Sequence, residues 1–452
     1  MSRVHIIGIG GSVMHALALE LKREGYGVSG SDDRIEEPSY SRLKEAGLLP
    51  EAIGWFPERI TSELSLVIVG MHARSDNPEL LRAQALSLPV MDMPTYLAAR
   101  SEHQHRIVVA GSHGKTTTTA LLITALRRLG MATDWLIGAQ TAEIPSTLRL
   151  SGAPTFVLEG DEYPASPLNP RPKAAIYRPH WLILTGIAWD HANIYPTPEA
   201  YTKAFEHILQ QLPKAGLCFY NASDPYLKDL VDKTLRVGWH RFIPYQPLPY
   251  LKKGQQWMVR VGRRVVPVRF WGKHNLLNVS AVWRLLQELS VEDKDFAEIL
   301  STFSLPERRQ EIWLRSPSLV IVRDFAHAPS KVQATLEAIK ETFPNLPLLA
   351  VLELHTHSSF LPAFLAQYRP ALTPARRGWV FVEPHRLAER QAELSALQRA
   401  LDGKVRWFLS RDSLVEALRM EMKRKKAAIV LMSSGSMGGL SRSDLGISEG
   451  SA

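Results

Sequence analysis

The chain has 452 residues, 45% of them hydrophobic, enough for two to four packed domains. Its single cysteine, Cys218, excludes an intrachain disulfide or a cysteine metal cage and suits a reducing compartment. The net charge of +9 is scattered along the sequence, which fits small polyanionic substrates better than a nucleic-acid stripe with interleaved aromatics.

The sequence opens on a strand-like Val4–Ile7 with no charged leader, and no apolar run reaches the ~20 residues of a membrane span. A soluble, cytoplasmic protein with no membrane insertion is expected. The glycine turn Gly8-Ile9-Gly10-Gly11-Ser12 follows, and Met14, Leu17, Ala18 and Leu21 mark one face of a helix behind it. Strand, turn and helix in that order suit a diphosphate resting on the turn, or a tight connection with no ligand. Val13 replaces the third glycine of a dinucleotide fingerprint, and Asp32 stands near where an acid meets a ribose. A second strand, Leu66–Gly70, ends just before His72.

The apolar run Ile107–Ala110 leads into Gly111-Ser112-His113-Gly114-Lys115-Thr116-Thr117. Leu122, Ala125, Leu126 and Leu129 then recur at helical spacing. This is a phosphate cradle: N–H groups at a helix start face the anion, Lys115 neutralises β- and γ-phosphates, and the Thr116 hydroxyl holds Mg²⁺. The glycine that the usual P-loop places first is Val109 here, with Gly111 the nearest substitute.

Further candidates follow strand-like runs. Glu159, Asp161 and Glu162 come after Thr155–Leu158 and suit a hard cation. Asp190 and His191 come after Trp181–Thr185, and His191 reads either as a metal ligand or as a structural histidine. Leu235 to Phe270 is β-rich, and a helix opens at His274-Asn275, where Asn275 either caps the helix or bonds an adenine. Arg308 and Arg309 read as phosphate contacts or surface cations. Strand candidates Leu319–Arg323, Leu348–Leu352, Trp379–Val382 and Ile429–Met432 alternate with a helix marked by Val332, Thr335, Leu336 and Ile339. Asp324 and His327 follow the first of these. The basic run Lys423–Lys426 sits at a helix end, where cations are favoured. Alternating strands and helices predict mostly parallel sheets that bind ligands at strand C-termini.

In order, these motifs resemble the Mur ligase family over nearly the whole chain: Gly8-x-Gly10-Gly11; Gly111 to Thr118; Glu159-x-Asp161-Glu162-Tyr163; Asp190-His191; His274-Asn275-x-x-Asn278; Arg308-Arg309-x-Glu311; Asp324 to Pro329. The resemblance implies an α/β protein of three domains. A Rossmann-like UDP-sugar-binding domain occupies 1–100, a central P-loop ATPase-like domain with a mostly parallel sheet 101–305, and a Rossmann-like C-terminal ligase domain 306–452. It implies ATP and Mg²⁺. ATP is expected at Gly111, Ser112, His113, Gly114, Lys115, Thr116, Thr117, Asn275, Arg309 and Asp324, with Mg²⁺ at Thr116, Glu159 and His191. Lys115, Glu159 and His191 are the expected catalytic set. UDP-sugar contacts are expected at Gly8, Gly10, Gly11, Ser12, Ser31, Asp32 and His72.

Tyr163, Arg171-Pro-Lys173 and Tyr177-Arg178-Pro179 point within the family to joining of UDP-N-acetylmuramate to the murein tripeptide L-alanyl-γ-D-glutamyl-meso-diaminopimelate, through an acyl phosphate, in peptidoglycan recycling. The alternative is the same chemistry with L-alanine as the amine. Pro164, Asn193 and the segment Glu353–His357 depart from the commoner pattern. No lysine maps to a carbamylated metal ligand. Ser433–Gly439 reads either as a contact for the distal end of the peptide or as a flexible turn.

Overall fold

The computed structural model describes residues 2–71, 73–166, 168–235, 241–384, 398–399, 401, 405–424 and 426–448. Contacts divide the chain into two compact units: 1–187 with 199–246 and 284–288, and 188–198 with 247–283 and 289–452.

In the first unit, β1 (Arg3–Ile7), α1 (Met14–Arg23), β2 (Gly27–Ser31), α2 (Ser39–Glu45), β3 (Leu66–Val69), α3 (Pro78–Ala85), β4 (Val90–Asp92) and α4 (Met93–Arg100) alternate along the chain. The four strands form a parallel sheet in the order β2-β1-β3-β4. Helix starts are fixed locally: Asn77 Oδ1 accepts from the N–H groups of Glu79 and Leu80, and Asp92 accepts from Thr95. Ile7, Val67, Val69, Leu80 and Ala83 bury the helix-facing side of the sheet.

The second sheet of this unit holds β5 (His105–Ala110), α5 (Lys115–Arg128), β6 (Thr133–Leu136), β7 (Leu148–Arg149), β8 (Thr155–Glu159), a hairpin of β9 (Pro164–Ser166) and β10 (Asn169–Pro172), α6 (Lys173–Ile176), β11 (Trp181–Leu184), α7 (Pro198–Leu209), β12 (Leu217–Asn221), α8 (Pro225–Leu235) and β13 (Arg241–Tyr245). Its order is β13-β12-β11-β5-β8-β6-β7, parallel except for β7. β5, β8 and β11 are apolar because helices cover both faces of such a sheet. Cys218 lies buried in β12, and burial pushes its thiol pKa well up. The glycine turn after β1 and the loop Gly111–Gly114 after β5 therefore sit at the C-terminal ends of parallel strands.

The second unit begins with an antiparallel sheet of β14 (Tyr250–Lys253), β15 (Gln256–Val261) and β16 (Arg264–Val268). Next come α9 (Lys273–Glu288, through Trp283 in this unit), α10 (Asp293–Thr302), β17 (Glu311–Arg315), β18 (Leu319–Asp324), α11 (Pro329–Thr342), β19 (Leu348–Glu353), α12 (Pro362–Ala371), β20 (Arg377–Phe381), β21 (Val405–Phe408), α13 (Arg411–Lys423) and β22 (Ala427–Met432). The large sheet runs β17-β18-β22-β19-β20-β21, parallel except for β17. Trp257 Nε1 donates to Thr342 Oγ1 at 3.0 Å, and Lys252 pairs with Glu341 at 3.3 Å. These contacts group the β-rich segment with the C-terminal elements.

The expected strands and helices of 319–342, 348–352, 379–382 and 429–432 are present, and Lys423 ends α13 as expected. β17 and β21 were not legible, since each is a short edge strand with mixed burial. Among the described residues, no helix is long and apolar enough to cross a membrane.

β22 is central and wholly buried. Ile429→Ala is expected to cost the second unit about 2–5 kcal/mol, the range for a large-to-small core change. Chemical denaturation followed by tryptophan fluorescence checks this, and a loss under about 1 kcal/mol is the contrary result.

Candidate active site

In the first unit the loop after β5 reaches the N-terminus of α5. Gly111 has φ +132, and a Cβ there would overlap Thr185 Oγ1 and lie 2.9 Å from Gly186 O. Only glycine lets this loop pass so close to the end of β11. Ser112 N–H donates to Gly186 O at 2.9 Å, and the Thr185 hydroxyl donates to Ala110 O at 3.2 Å and to His113 O. Gly114, at φ 77, is the N-cap residue of α5. Thr116 and Thr117 lie buried in the helix's first turn.

Acids from the end of β8 meet this loop. Lys115 Nζ donates to Glu162 Oε2 at 2.7 Å and lies 3.4 Å from Asp161 Oδ1. Glu162 is fully buried and accepts from the Tyr201 hydroxyl at 2.7 Å. Lys173 lies 3.6 Å from Asp161. The Thr116 hydroxyl donates to Glu159 Oε1 at 2.7 Å, and Gly138 N–H donates to Glu159 Oε2 at 2.7 Å. Burial works against the Lys115 charge, but Glu162, Asp161 and Glu159 more than offset it and hold its pKa above the ordinary lysine value. Three carboxylates face two ammonium groups, so the loop repels a bare polyphosphate and suits a hard cation that shares its oxygens. The Thr116 hydroxyl and a Glu159 oxygen form such a donor pair.

The first glycine turn folds on itself. Gly8 N–H donates to Ser31 O at 2.8 Å, Gly11 N–H to Gly8 O at 3.2 Å, and Gly10 N–H to Asp32 Oδ2 at 2.7 Å. Burial raises the Asp32 pKa, with the N–H groups of Arg34 and Gly10 opposing. The structure thus brings Gly8, Gly10, Gly11, Ser31 and Asp32 together at one turn, and Ser12 O accepts from the Thr147 hydroxyl at 3.5 Å. The Gly10 N–H group, a natural diphosphate donor, is engaged by Asp32. His72 lies outside the described residues.

The other predicted residues belong to the second unit. Asn275 lies inside the first turn of α9 and does not cap it. Its amide donates to Trp271 O at 2.9 Å and its Oδ1 accepts from Asn278 at 3.3 Å. Gln310 clasps Trp271 from both sides, accepting from its N–H at 2.8 Å and donating to its carbonyl at 2.9 Å. Gln310 N–H in turn donates to Asp324 Oδ2 at 2.9 Å, while Asp324 Oδ1 accepts from Ala326 N–H and the Thr335 hydroxyl. One network thus joins Asn275 to Asp324. Arg309 lies 5.3 Å from the centre of the Phe325 ring.

His191, at φ 54, donates its N–H to Asp190 Oδ1 at 2.8 Å, and Asp190 Oδ2 accepts from Lys331 at 3.2 Å. Trp189 packs on Phe364 with ring centres 5.0 Å apart. Sequence reading gave no role to Tyr201, Gln310 or Lys331, and took Glu162 only as one of three acids suited to a hard cation. What that reading missed was its partner, the Lys115 ammonium.

Three family models match the chain in order: the Mur ligase family catalytic domain over residues 3–105, the Mur ligase middle domain over 109–286, and the Mur ligase glutamate ligase domain over 308–435. A UDP-N-acetylmuramate–L-alanine ligase of Arthrobacter sp. is 30% identical across 83% of this chain and 80% of its own. The chain belongs to the Mur ligase family. Mur ligases are ATP-dependent enzymes that form carbon–nitrogen bonds. The UDP-N-acetylmuramate–L-alanyl-γ-D-glutamyl-meso-2,6-diaminoheptandioate ligase of Haemophilus influenzae is 29% identical across 97% of this chain and 98% of its own. A murein peptide ligase structure from Psychrobacter arcticus shares the fold, with TM-score 0.70 and 24% identity across 99% of this chain and 98% of that one.

His327 gives a pH signature. Burial, then the Lys331 charge, push its pKa down to about 3, with Asp190 opposing. The unfolded value is 6.5, so the folded state binds fewer protons in between. Stability is full above that value and falls as pH drops toward 3, by up to about 1.4 kcal/mol per unit. Denaturation curves at about pH 7 and about pH 4.5 are expected to show this loss, and His327→Gln to lessen it.

Proposed function

We propose that this chain joins UDP-N-acetylmuramate to L-alanyl-γ-D-glutamyl-meso-diaminopimelate at the expense of ATP, in the recycling of peptidoglycan in the cytoplasm. The observation that carries the reading is the near full-length likeness to the Haemophilus influenzae ligase of that name. Tyr163, after the acidic run, points the same way.

The chemistry is carboxylate activation. An oxygen of the lactyl carboxylate attacks the γ-phosphorus, ADP leaves, and an acyl phosphate remains. The alanyl amine, unprotonated, attacks the acyl carbon, and the tetrahedral adduct loses a proton from nitrogen and expels phosphate as the amide forms. Carboxylate, triphosphate and UDP repel one another, so the task of the protein is to gather anions.

Lys115 exchanges Glu162 and Asp161 for the β- and γ-phosphates, and Gly111 to Thr117 supply backbone donors. Mg²⁺ would be held by Thr116 at a first position and by Glu159 and His191 at a second, and would supply charge neutralisation and orientation. The Tyr201 hydroxyl remains as a donor to Glu162 once Lys115 has turned to the phosphates. Asn275 holds adenine, Arg309 the phosphates and Asp324 the ribose. Gly8, Gly10, Gly11, Ser12, Ser31, Asp32 and His72 hold the UDP-sugar. The domains follow as 1–100 for the sugar nucleotide, 101–305 for ATP, and 306–452 for the peptide and for completing the ATP site.

The Arthrobacter relative favours a second reading, with L-alanine as the amine. Phosphate release from ATP with UDP-N-acetylmuramate, compared for tripeptide and L-alanine, decides between them. We expect higher kcat/KM with the tripeptide, and faster turnover with L-alanine overturns the proposal. Lys115→Ala is expected to lower ligation at least a thousandfold with a native circular-dichroism spectrum. Ligation within tenfold of the parent is the contrary result.

A further inference from the structure

Within the second unit, β19 and β22 run side by side, with Leu352 opposite Met432 at their C-terminal ends. Glu353 ends β19 and is fully buried. Its Oε2 accepts from the Ser433 hydroxyl and from Met437 N–H at 3.0 Å. Its other oxygen, Oε1, has no hydrogen-bond partner among the described residues. The hydroxyl of Ser434, on the loop after β22, is likewise buried without a partner. Two adjoining strand ends thus offer an unmatched carboxylate oxygen and an unmatched hydroxyl.

The loop is drawn tightly over these groups. A Cβ on Gly435 would lie 2.6 Å from His355 Nδ1 and 3.0 Å from Glu353 Oε2, so a side chain there would have to displace the His355 ring. Ser433 Oγ accepts from Gly435 N–H at 2.8 Å, and Arg308 donates to Gly435 O at 3.0 Å. Arg323, on β18, feels both Arg308 and Glu353. Two arginines thus stand near the buried Glu353 carboxyl group.

A buried carboxylate oxygen without a donor is an unfavourable arrangement. Its natural complement is a charged N–H donor, which gives short, strong bonds to carboxylate. We propose that Glu353, aided by Ser434, receives an ammonium group of the amine substrate, and that this ammonium is the one that does not react. The inference rests on the tripeptide reading above.

The second half follows from acid–base chemistry. A carboxylate beside an amine favours the protonated form. The attacking amine must be unprotonated, so such a partner would hinder it. A spectator ammonium has no such requirement. In the tripeptide the alanyl amine reacts, and the free amine is at the distal centre of the diamino acid. That centre also bears a carboxylate, which the positive charge of Arg308 and Arg323 suits. Glu353 therefore acts as a specificity residue for the third position of the peptide.

The test uses the full-length protein and two peptides, the tripeptide and the same tripeptide with its distal amine acetylated. For the parent we expect a KM at least tenfold higher for the acetylated peptide, with kcat within about twofold. Glu353→Gln keeps the shape and removes the charge. It is expected to raise KM for the ammonium peptide about tenfold and to move KM for the acetylated peptide less than twofold, so that the preference collapses. A parent that treats the two peptides alike overturns the inference, as does a Glu353→Gln enzyme that loses kcat equally on both. If Glu353→Gln does not fold, as judged by its melting curve, Ser434→Ala carries the test and must narrow the KM ratio. A parent that turns over L-alanine but no tripeptide overturns the functional reading and this inference with it. Tripeptide turnover without discrimination overturns this inference alone.

Discussion

Burial and charge pull in opposite directions on Lys115, and the loop after β5 is built around the outcome. Its side chain is only 14% exposed, which alone would disfavour the ammonium. Glu162 at 2.7 Å and Asp161 at 3.4 Å reverse that balance. The arrangement needs Gly111 at the crossing with β11, a helix that begins immediately after Gly114, and a β8 that ends in acids. Remove any of these and the cation loses either its place or its partners. Because Tyr201 also binds Glu162, the α7 helix is tied to the same charge balance.

The parallel sheets translate that local requirement into architecture. Each carries its glycine turns and acidic ends on the side where strands finish, and each crossover helix returns the chain to the opposite edge. The second unit repeats the logic with different chemistry. Asp324 at the end of β18 anchors backbone and hydroxyl donors, Glu353 at the end of β19 keeps one oxygen unmatched, and Ser433 follows β22.

What the sequence revealed was local. The strand–glycine turn–helix run from Ile107 to Leu126 was legible because its glycines, lysine and threonine act through backbone geometry within a few residues. Buried strands such as β19 and β22 were legible as continuous apolar runs, and α11 as a periodic stripe. What stayed hidden depended on partners distant in sequence. Lys331 meets Asp190 across 141 positions, and Tyr201 meets Glu162 across 39. No spacing rule reaches that far. Asn275 illustrates an intermediate case: its position at a helix start was readable, but the carbonyl it bonds was not, because that choice follows from how Gln310 holds Trp271. The grouping of 247–283 with the C-terminal elements was equally invisible, since Trp257 finds its partner on α11.

Cys218 lies in β12 among neighbours that exclude solvent, and burial keeps its thiol protonated. A thiolate is the reactive form, so the folded chain presents no competent thiol to alkylating reagents. A cysteine placed on any exposed loop would thus be the unique target of a maleimide dye. The native sequence is already a clean background for single-site labelling and distance measurement, with no need to replace its own thiol.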